Sequence, residues 1–226
     1  FAYGWGLSKE QSLGYKLAKL TEKNVYNYSI AGSGIQSFPY VIENTDIFNK
    51  VKNPKYFIYI LIEDHFRRLY RIYSSDIDAF LDIKYKYNKK TKKLSLINKR
   101  FYILDRFATI RYIKNLSIYI KSKNIETEES FNYAKSLFIF GKELAKEKYP
   151  EAKFIILKYN EGGSFRSYES KFSELANEGF YIFDTKDLTG IDFSDKKYKT
   201  DDNIHPNEKA WDIIAPKLIE ALNEIE

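Results

Sequence analysis

The chain has 226 residues, of which 44% are hydrophobic, and a formal net charge of +6, so it is long enough to bury a sizeable core in one domain. Cysteine is absent, which excludes disulfides, a thiolate nucleophile and a zinc–thiolate site, and leaves the compartment open. No run approaches the roughly 20 apolar residues of a membrane-spanning helix, so we expect no integral membrane segment.

The positive charge is spread along the chain, with one denser basic region at 84–100. The 20 Tyr and 17 Phe residues would support nucleic-acid binding if they alternated with lysines on one face. Most of them fall instead in apolar, strand-like runs, where aromatic residues usually form core. We therefore predict no nucleic-acid partner, and keep as an alternative a basic interaction protein whose 84–100 region meets a polyanion.

The first predicted element is a helix over 8–22, with Ser8 as its N-cap and Gln11 three residues later. A short strand is predicted from Val25 to Ile30. It ends in the turn Ala31-Gly32-Ser33-Gly34, whose glycines favour a tight connection.

Further along, apolar runs of strand length alternate with helical patterns. The strands are predicted at 56–62, 154–157 and 181–183, and the helices at 129–148, at 167–177 and from about Asn207. This alternation indicates an α/β fold with a mostly parallel sheet and helices on both faces. We expect the runs at 56–62 and 154–157 to be neighbouring parallel strands in the middle of that sheet.

Residues 71–125 interrupt the alternation. Tyr85 to Asn98 alternates polar and apolar residues around Asn88-Lys89-Lys90-Thr91, which predicts a β-hairpin inserted into the α/β core. Its lysines are typical of a solvated face that blocks unwanted strand pairing, and a substrate-covering role is the alternative.

A candidate catalytic pair lies near the C-terminus, in Asp202-Asn203-Ile204-His205-Pro206, directly before the last helix. A carboxylate three residues before a histidine can accept a hydrogen bond from Nδ1–H, which fixes the tautomer and stabilises the imidazolium. Such a histidine can activate a serine hydroxyl. A loop histidine with acidic neighbours is the alternative interpretation of so short a pattern.

Two other loops come directly after predicted strands. In the turn at 31–34 the backbone N–H groups can approach a ligand, as an oxyanion hole requires, although such a turn is more often only a turn. The second loop, Glu63 to Arg68, crowds Asp64, His65 and Arg67 at one strand end. It is either a solvated strand end or part of a binding cleft, because ligands bind at the carboxyl ends of parallel strands.

Together these patterns resemble the SGNH/GDSL-type hydrolases, a family of esterases, lipases and carbohydrate deacetylases. Asp202 to Pro206 matches the family's D-x-x-H-P motif, and Asn27 to Gly32 matches its N-x-x-x-x-G block. The opening residues 1–7 resemble the segment directly after the family's nucleophile motif. The resemblance implies a flavodoxin-like, three-layer α/β/α sandwich over 1–226 as a single domain, with Gly32 as an oxyanion donor.

The chain departs from the family pattern in two places. The third block normally reads G-x-N-D, but here the strand end reads Leu61-Ile62-Glu63-Asp64-His65. A carboxylate does not donate unless it is protonated, so Glu63 does not replace that asparagine. By the family pattern the first strand and the nucleophilic serine precede Phe1. Ser29 and Ser33 are alternatives in principle, in a block that should supply backbone donors.

The resemblance therefore implies a serine-dependent hydrolase of carboxylic esters, acting on acyl ester or O-acetyl groups. His205 would be the general base, Asp202 would orient it, and Asp64, His65 and Arg67 would line the substrate pocket. The mechanism requires no metal and no organic cofactor, and its partner would be a small-molecule, carbohydrate or lipid ester. The alternative is a catalytically inactive module that keeps the fold and binds an acylated sugar or lipid. The oligomeric state is left open.

Overall fold

A computed structural model describes residues 6–29, 34–69, 85–88, 93–96 and 127–226. The chain divides into two compact units: the first combines residues 1–31, 54–62 and 153–226, and the second combines 32–53 and 63–152. This division leaves the single domain over 1–226 a prediction.

The described helices and strands are, in chain order, α1 (Leu13–Thr21), α2 (Ser37–Asn44), α3 (Ile47–Lys50), β1 (Tyr56–Leu61), α4 (Asp64–Arg68), β2 (Tyr85–Asn88), β3 (Lys93–Leu96), α5 (Thr127–Lys146), β4 (Lys153–Lys158), α6 (Phe172–Asn177), β5 (Phe180–Asp184), α7 (Thr185–Thr189) and α8 (Glu208–Glu224). Short 3₁₀ turns occur at Lys9–Gln11, Glu169–Lys171 and Lys196–Tyr198. None of the described helices combines the length and apolar character needed to cross a membrane.

The first unit contains a parallel sheet of three strands in the order β1-β4-β5. The α/β class and the parallel pairing of the 56–62 and 154–157 runs are therefore confirmed. Among the described strands β4 is central and β1 lies at one end, so the predicted central position holds for β4 alone.

Side chains of β4 alternate between the two faces of the sheet. Ile155 and Leu157 join residues of α1 and α8 in one buried cluster. On the other face Phe154 stacks on Phe57 of β1, with ring centroids 5.1 Å apart, and the ring of Phe172 in α6 lies 4.7 Å from Lys158 Nζ. Helices thus contact both faces of this sheet.

The carboxyl ends of the three strands lie at one edge, because Leu61, Lys158 and Asp184 occupy the same register. There the buried ammonium of Lys158 lies 3.0 Å from Asp184 Oδ2 and 2.8 Å from Glu169 Oε1. This buried charge is paired, as a buried lysine requires.

The predicted N-terminal helix and the strand predicted after it are both corrected. The Ser8 N–H donates to Gln11 Oε1 at 2.9 Å, but Lys9–Gln11 is only a 3₁₀ turn. A second N-cap at Ser12 starts α1 at Leu13, so the predicted helix over 8–22 is two elements. Val25 to Ser29 forms no strand. Instead, Asn27 Oδ1 accepts the Ser29 N–H at 3.0 Å, a local bond that competes with strand pairing. Ile30 lies outside the described residues.

The second unit is built on α5, which packs against α2 and α4. Phe38 and Phe138 have centroids 6.0 Å apart, and Gly141 permits this approach, since a Cβ there would lie 2.5 Å from Phe38 Cδ1. Strands β2 and β3 pair antiparallel with Tyr85 opposite Leu96, which confirms the predicted hairpin. The rest of the predicted insertion at 71–125 lies outside the described part of the chain.

Candidate active site

Residues 199–206 form a closed loop, here called the dyad loop, directly before α8. Lys199 and Pro206 make an isolated antiparallel bridge, and the Thr200 N–H donates to the His205 carbonyl at 2.8 Å. Asn203 takes the left-handed conformation, with φ 57°, which asparagine tolerates better than most residues. The loop therefore closes through its own backbone.

Asn207 joins the dyad loop to the helix. Its Oδ1 accepts the Ala210 N–H at 3.2 Å and caps α8, while its Nδ2 donates to the carbonyls of Lys197 and Lys199, both at 2.9 Å. One side chain thus caps the N-terminus of α8 and pairs with the backbone carbonyl of Lys199, the residue where the dyad loop begins.

Within the loop, His205 Nδ1 lies 2.5 Å from Asp202 Oδ2. This is the contact that the D-x-x-H spacing predicts. The other carboxylate oxygen, Oδ1, accepts three donors: the Thr200 hydroxyl at 2.7 Å, the Ile204 N–H at 2.8 Å and the His205 N–H at 3.0 Å. The orientation of Asp202 is therefore fixed from several directions.

These donors also set the ionisation of Asp202. Partial burial alone would raise its pKa, but the hydrogen bonds from Thr200, His205 and Ile204 outweigh burial and hold the pKa well below the usual range. The carboxylate is ionised at neutral pH and only accepts, so Nδ1 carries the proton of a neutral His205. Nε2 is then the nitrogen that can take a proton.

The dyad remains partly open to solvent, with 24% of the His205 side chain and 30% of the Asp202 side chain exposed. Gly6, at the start of the described chain, lies against the loop, because a Cβ there would be 3.4 Å from Thr200 Cγ2. Its φ of +76° also favours glycine. Gly6 thus packs against the dyad loop.

The dyad loop also contacts the edge of the sheet. Lys199 Nζ lies 2.5 Å from Oε1 of Glu161, which belongs to the loop after β4. This places the dyad loop at the carboxyl ends of the strands, where open α/β sheets bind ligands.

No family model, curated protein or solved structure matches this chain. The case for a function therefore comes from the residues and from the geometry of the dyad loop. Within the described part of the chain, no cluster of three or more His, Cys, Asp or Glu side chains could hold a metal ion.

Of the predicted oxyanion loop, Gly32 lies outside the described residues, and so does Phe1. Gly34 is described, and a Cβ there would lie 3.1 Å from Arg68 Cβ and 3.6 Å from the His65 carbonyl. The end of the glycine loop therefore packs closely on α4, the helix that begins at the predicted third block.

In α4, Asp64 Oδ2 accepts from Arg68 Nε at 2.6 Å. His65 is buried, and burial together with the charge of Arg68 lowers its pKa well below the usual range, so its imidazole is neutral at pH 7. Arg67 belongs to α4, but its side chain lies outside the described set. That these three residues line a substrate pocket stays a prediction.

Sequence reasoning missed four residues around the dyad: Thr200, Asn207, Lys199 and Glu161. Two of them had a signal in the sequence. Thr200 lies two residues before Asp202, a spacing at which its hydroxyl can donate to the carboxylate. Asn207 stands directly before the last helix, where asparagine often caps the N-terminus. The Lys199–Glu161 pair had none, because it joins residues far apart in the chain.

Proposed function

We propose that this chain belongs to a serine-dependent hydrolase that cleaves carboxylic esters, with the three-layer α/β/α architecture of SGNH hydrolases. The observation that supports it is the contact between His205 Nδ1 and the multiply bonded Asp202 carboxylate, at the carboxyl edge of the parallel sheet. A histidine oriented in this way is prepared to act as a general base through Nε2.

In the proposed acylation step, a serine immediately before Phe1 attacks the acyl carbonyl while Nε2 of His205 takes the hydroxyl proton. The new C–O bond places negative charge on the former carbonyl oxygen. The N–H groups of Gly32 and of the serine itself donate to that oxygen. When the intermediate collapses, the alcohol leaves with the proton from Nε2.

In deacylation a water molecule attacks the acyl-serine and gives its proton to His205. The acid leaves, the serine recovers its proton, and Asp202 stays ionised throughout because it only stabilises the imidazolium. Both half-reactions need proton transfer and oxyanion stabilisation alone. The substrate class is a small-molecule, carbohydrate or lipid ester.

The direct test is hydrolysis of a short-chain aryl ester by a protein that includes the residues preceding Phe1. His205→Ala should reduce kcat/KM by roughly three or more orders of magnitude, the scale lost when a triad member is removed. Asp201→Asn is the matched control, because it removes an exposed carboxylate from the same loop and should leave turnover within about twofold. Unchanged turnover in His205→Ala would remove that residue from the mechanism.

A second candidate function is a catalytically inactive module that binds an acylated sugar or lipid. Glu63 favours it, because this residue stands just after β1 in the place where the family has an oxyanion-donating asparagine. Calorimetry with an acetylated oligosaccharide would distinguish the two. Saturable binding without turnover in the wild type supports the binding module, and turnover that depends on His205 supports the enzyme.

A further inference from the structure

A partly buried ion pair between Lys199 and Glu161 connects the dyad loop to the loop after β4. Only 4% of the Lys199 side chain and 29% of the Glu161 side chain are exposed, and their charged atoms are 2.5 Å apart. Lys199 Nζ also donates to the carbonyl of Ile204 at 3.4 Å, one residue before His205. Lys199 therefore connects two groups: the carboxylate of Glu161 and the backbone directly before His205.

The backbone around Glu161 is itself fixed. Its N–H donates to Ser164 Oγ at 2.9 Å, and the N–H of Gly162 donates to Asp192 Oδ1 at 2.9 Å. Gly162 takes a positive φ of 58° in this turn. The carboxylate is thus presented from a loop whose geometry is set before any substrate binds.

Among the described residues, the charged groups that act on Glu161 are Lys199, Asp192 and His205. Burial raises the pKa of Glu161 and Asp192 raises it further, whereas Lys199 and a protonated His205 act in the opposite direction. Lys199 Nζ contacts both the Glu161 carboxylate and the Ile204 carbonyl, so the carboxylate lies close to the backbone that carries the imidazole. A carboxylate in that place favours a positive charge near it.

We propose that Glu161, held by Lys199, is a positioning residue for His205, and that its carboxylate stabilises the imidazolium from outside the Asp202 contact. The Lys199 ammonium keeps Ile204, and hence His205, at the end of β4. The catalytic part of this inference rests on the proposed hydrolase function, whereas the electrostatic part concerns the protein whatever it does.

The electrostatic part is tested by following the imidazole Cε1–H signals in NMR as a function of pH. The chain has two histidines, so His205→Ala assigns the signals. Glu161→Gln keeps the shape of the side chain and removes its charge. It should move the midpoint of the His205 titration to lower pH by roughly half to one unit, a three- to tenfold loss of proton affinity.

Asp192→Asn is the matched control, because it removes a nearby charge but keeps an acceptor for the Gly162 N–H. It should move the midpoint by less than about 0.2 unit, since Asp192 is exposed and solvent screens its charge. An unmoved midpoint in Glu161→Gln, or the same shift in both variants, overturns the proposal.

The positioning part is tested with ester hydrolysis. Glu161→Gln should move the acid limb of the kcat/KM profile to lower pH by the same amount as the NMR midpoint. Lys199→Met should lower kcat roughly tenfold with little change in KM, and Lys199→Arg should restore most of it. Equal rates in Lys199→Met and wild type contradict the positioning role. If the wild type hydrolyses no ester, the hydrolase proposal fails while the NMR titration still decides the electrostatic one.

Discussion

The two histidines of this chain lie in opposite surroundings. His205 is part of a loop, partly exposed, and bonded to an ionised carboxylate. His65 is in α4, just after β1, is only 8% exposed, and has the positive charge of Arg68 near it. Burial and a neighbouring positive charge keep the His65 imidazole neutral, whereas His205 has solvent and a carboxylate beside it.

The two surroundings are also built differently. The Asp202 carboxylate is held by groups two and three residues away, so the dyad loop is a product of local sequence. His65 is buried because α4 packs on α5, where Phe66 stacks against Phe131 at 6.2 Å, and because Gly34 approaches its carbonyl. The dyad loop can therefore be tested by single substitutions that change activity, whereas the burial of His65 is tested through the free energy of unfolding.

The largest effect should come from Asp202→Asn. The amide keeps an oxygen for the three donors, so folding should be retained, but its NH₂ group would face Nδ1 and favour the tautomer that carries the proton on Nε2. We expect kcat for a short aryl ester to fall by about 10³ to 10⁴, the scale seen when the wrong tautomer is imposed.

Near-ultraviolet circular dichroism should overlay for Asp202→Asn and wild type. A loss of activity smaller than about tenfold, with the fold intact, would show that Asp202 does not orient a catalytic base. It would also remove the contrast between the two histidines.

The second effect concerns stability and pH. The pKa of His65 is lowered in the folded state, so below about pH 6.5 the unfolded chain binds a proton that the folded chain does not. Stability should be fully present above that pH and should decrease as the pH falls, by up to about 1.4 kcal/mol per pH unit. His65→Gln should remove this contribution to the slope.

The measurement is urea unfolding of the wild type, His65→Gln and His205→Ala between pH 7 and pH 5. The slope should become smaller in His65→Gln only, because His205→Ala leaves the buried imidazole in place. Equal slopes in all three proteins would mean that His65 takes up a proton without unfolding.

The sequence predicted those parts of the fold whose causes are local. The apolar runs at 56–62 and 154–157 indicated the parallel pair, and Asn88-Lys89-Lys90-Thr91 indicated the hairpin between β2 and β3. The predicted strand at Val25 to Ile30 is wrong over its described residues, 25–29. There Asn27 accepts a bond from Ser29, two residues on, and apolar content alone does not show that competition.

The site divides in the same way. The Asp202–His205 contact was expected from a three-residue spacing. The cap at Asn207 was not predicted, although its cause, an asparagine directly before a helix, is equally local. The ion pair between Glu161 and Lys199 joins the loop after β4 to the dyad loop, so it depends on how the sheet and α8 are packed. Pairs that form only in the folded chain leave no pattern in one sequence.

A smaller effect is expected at Asn207, which has two separable roles. Asn207→Ala should cost about 1 kcal/mol of unfolding free energy through loss of the α8 cap. Asn207→Ser keeps a capping oxygen but has no amide to donate to the carbonyls of Lys197 and Lys199. Asn207→Ser should therefore be more stable than Asn207→Ala by about the 1 kcal/mol of the cap, while hydrolysis falls severalfold in both variants. Full activity in Asn207→Ser would show that the tether does not position His205.

The smallest effect is expected at the ion pair between Asp64 and Arg68. It is an i,i+4 pair, partly exposed, on a helix of five residues, and such pairs contribute roughly 0.3–0.5 kcal/mol. Asp64→Asn should lower the unfolding free energy by about that amount. Asp46→Asn is the matched control, since Asp46 pairs with Lys50 in the same i,i+4 geometry but is more exposed, and it should cost less.

Kinetics on Asp64→Asn then test the predicted pocket: a KM that rises severalfold while stability changes by no more than this would place Asp64 against the substrate. A KM equal to that of Asp46→Asn would make the pair a support for α4 alone.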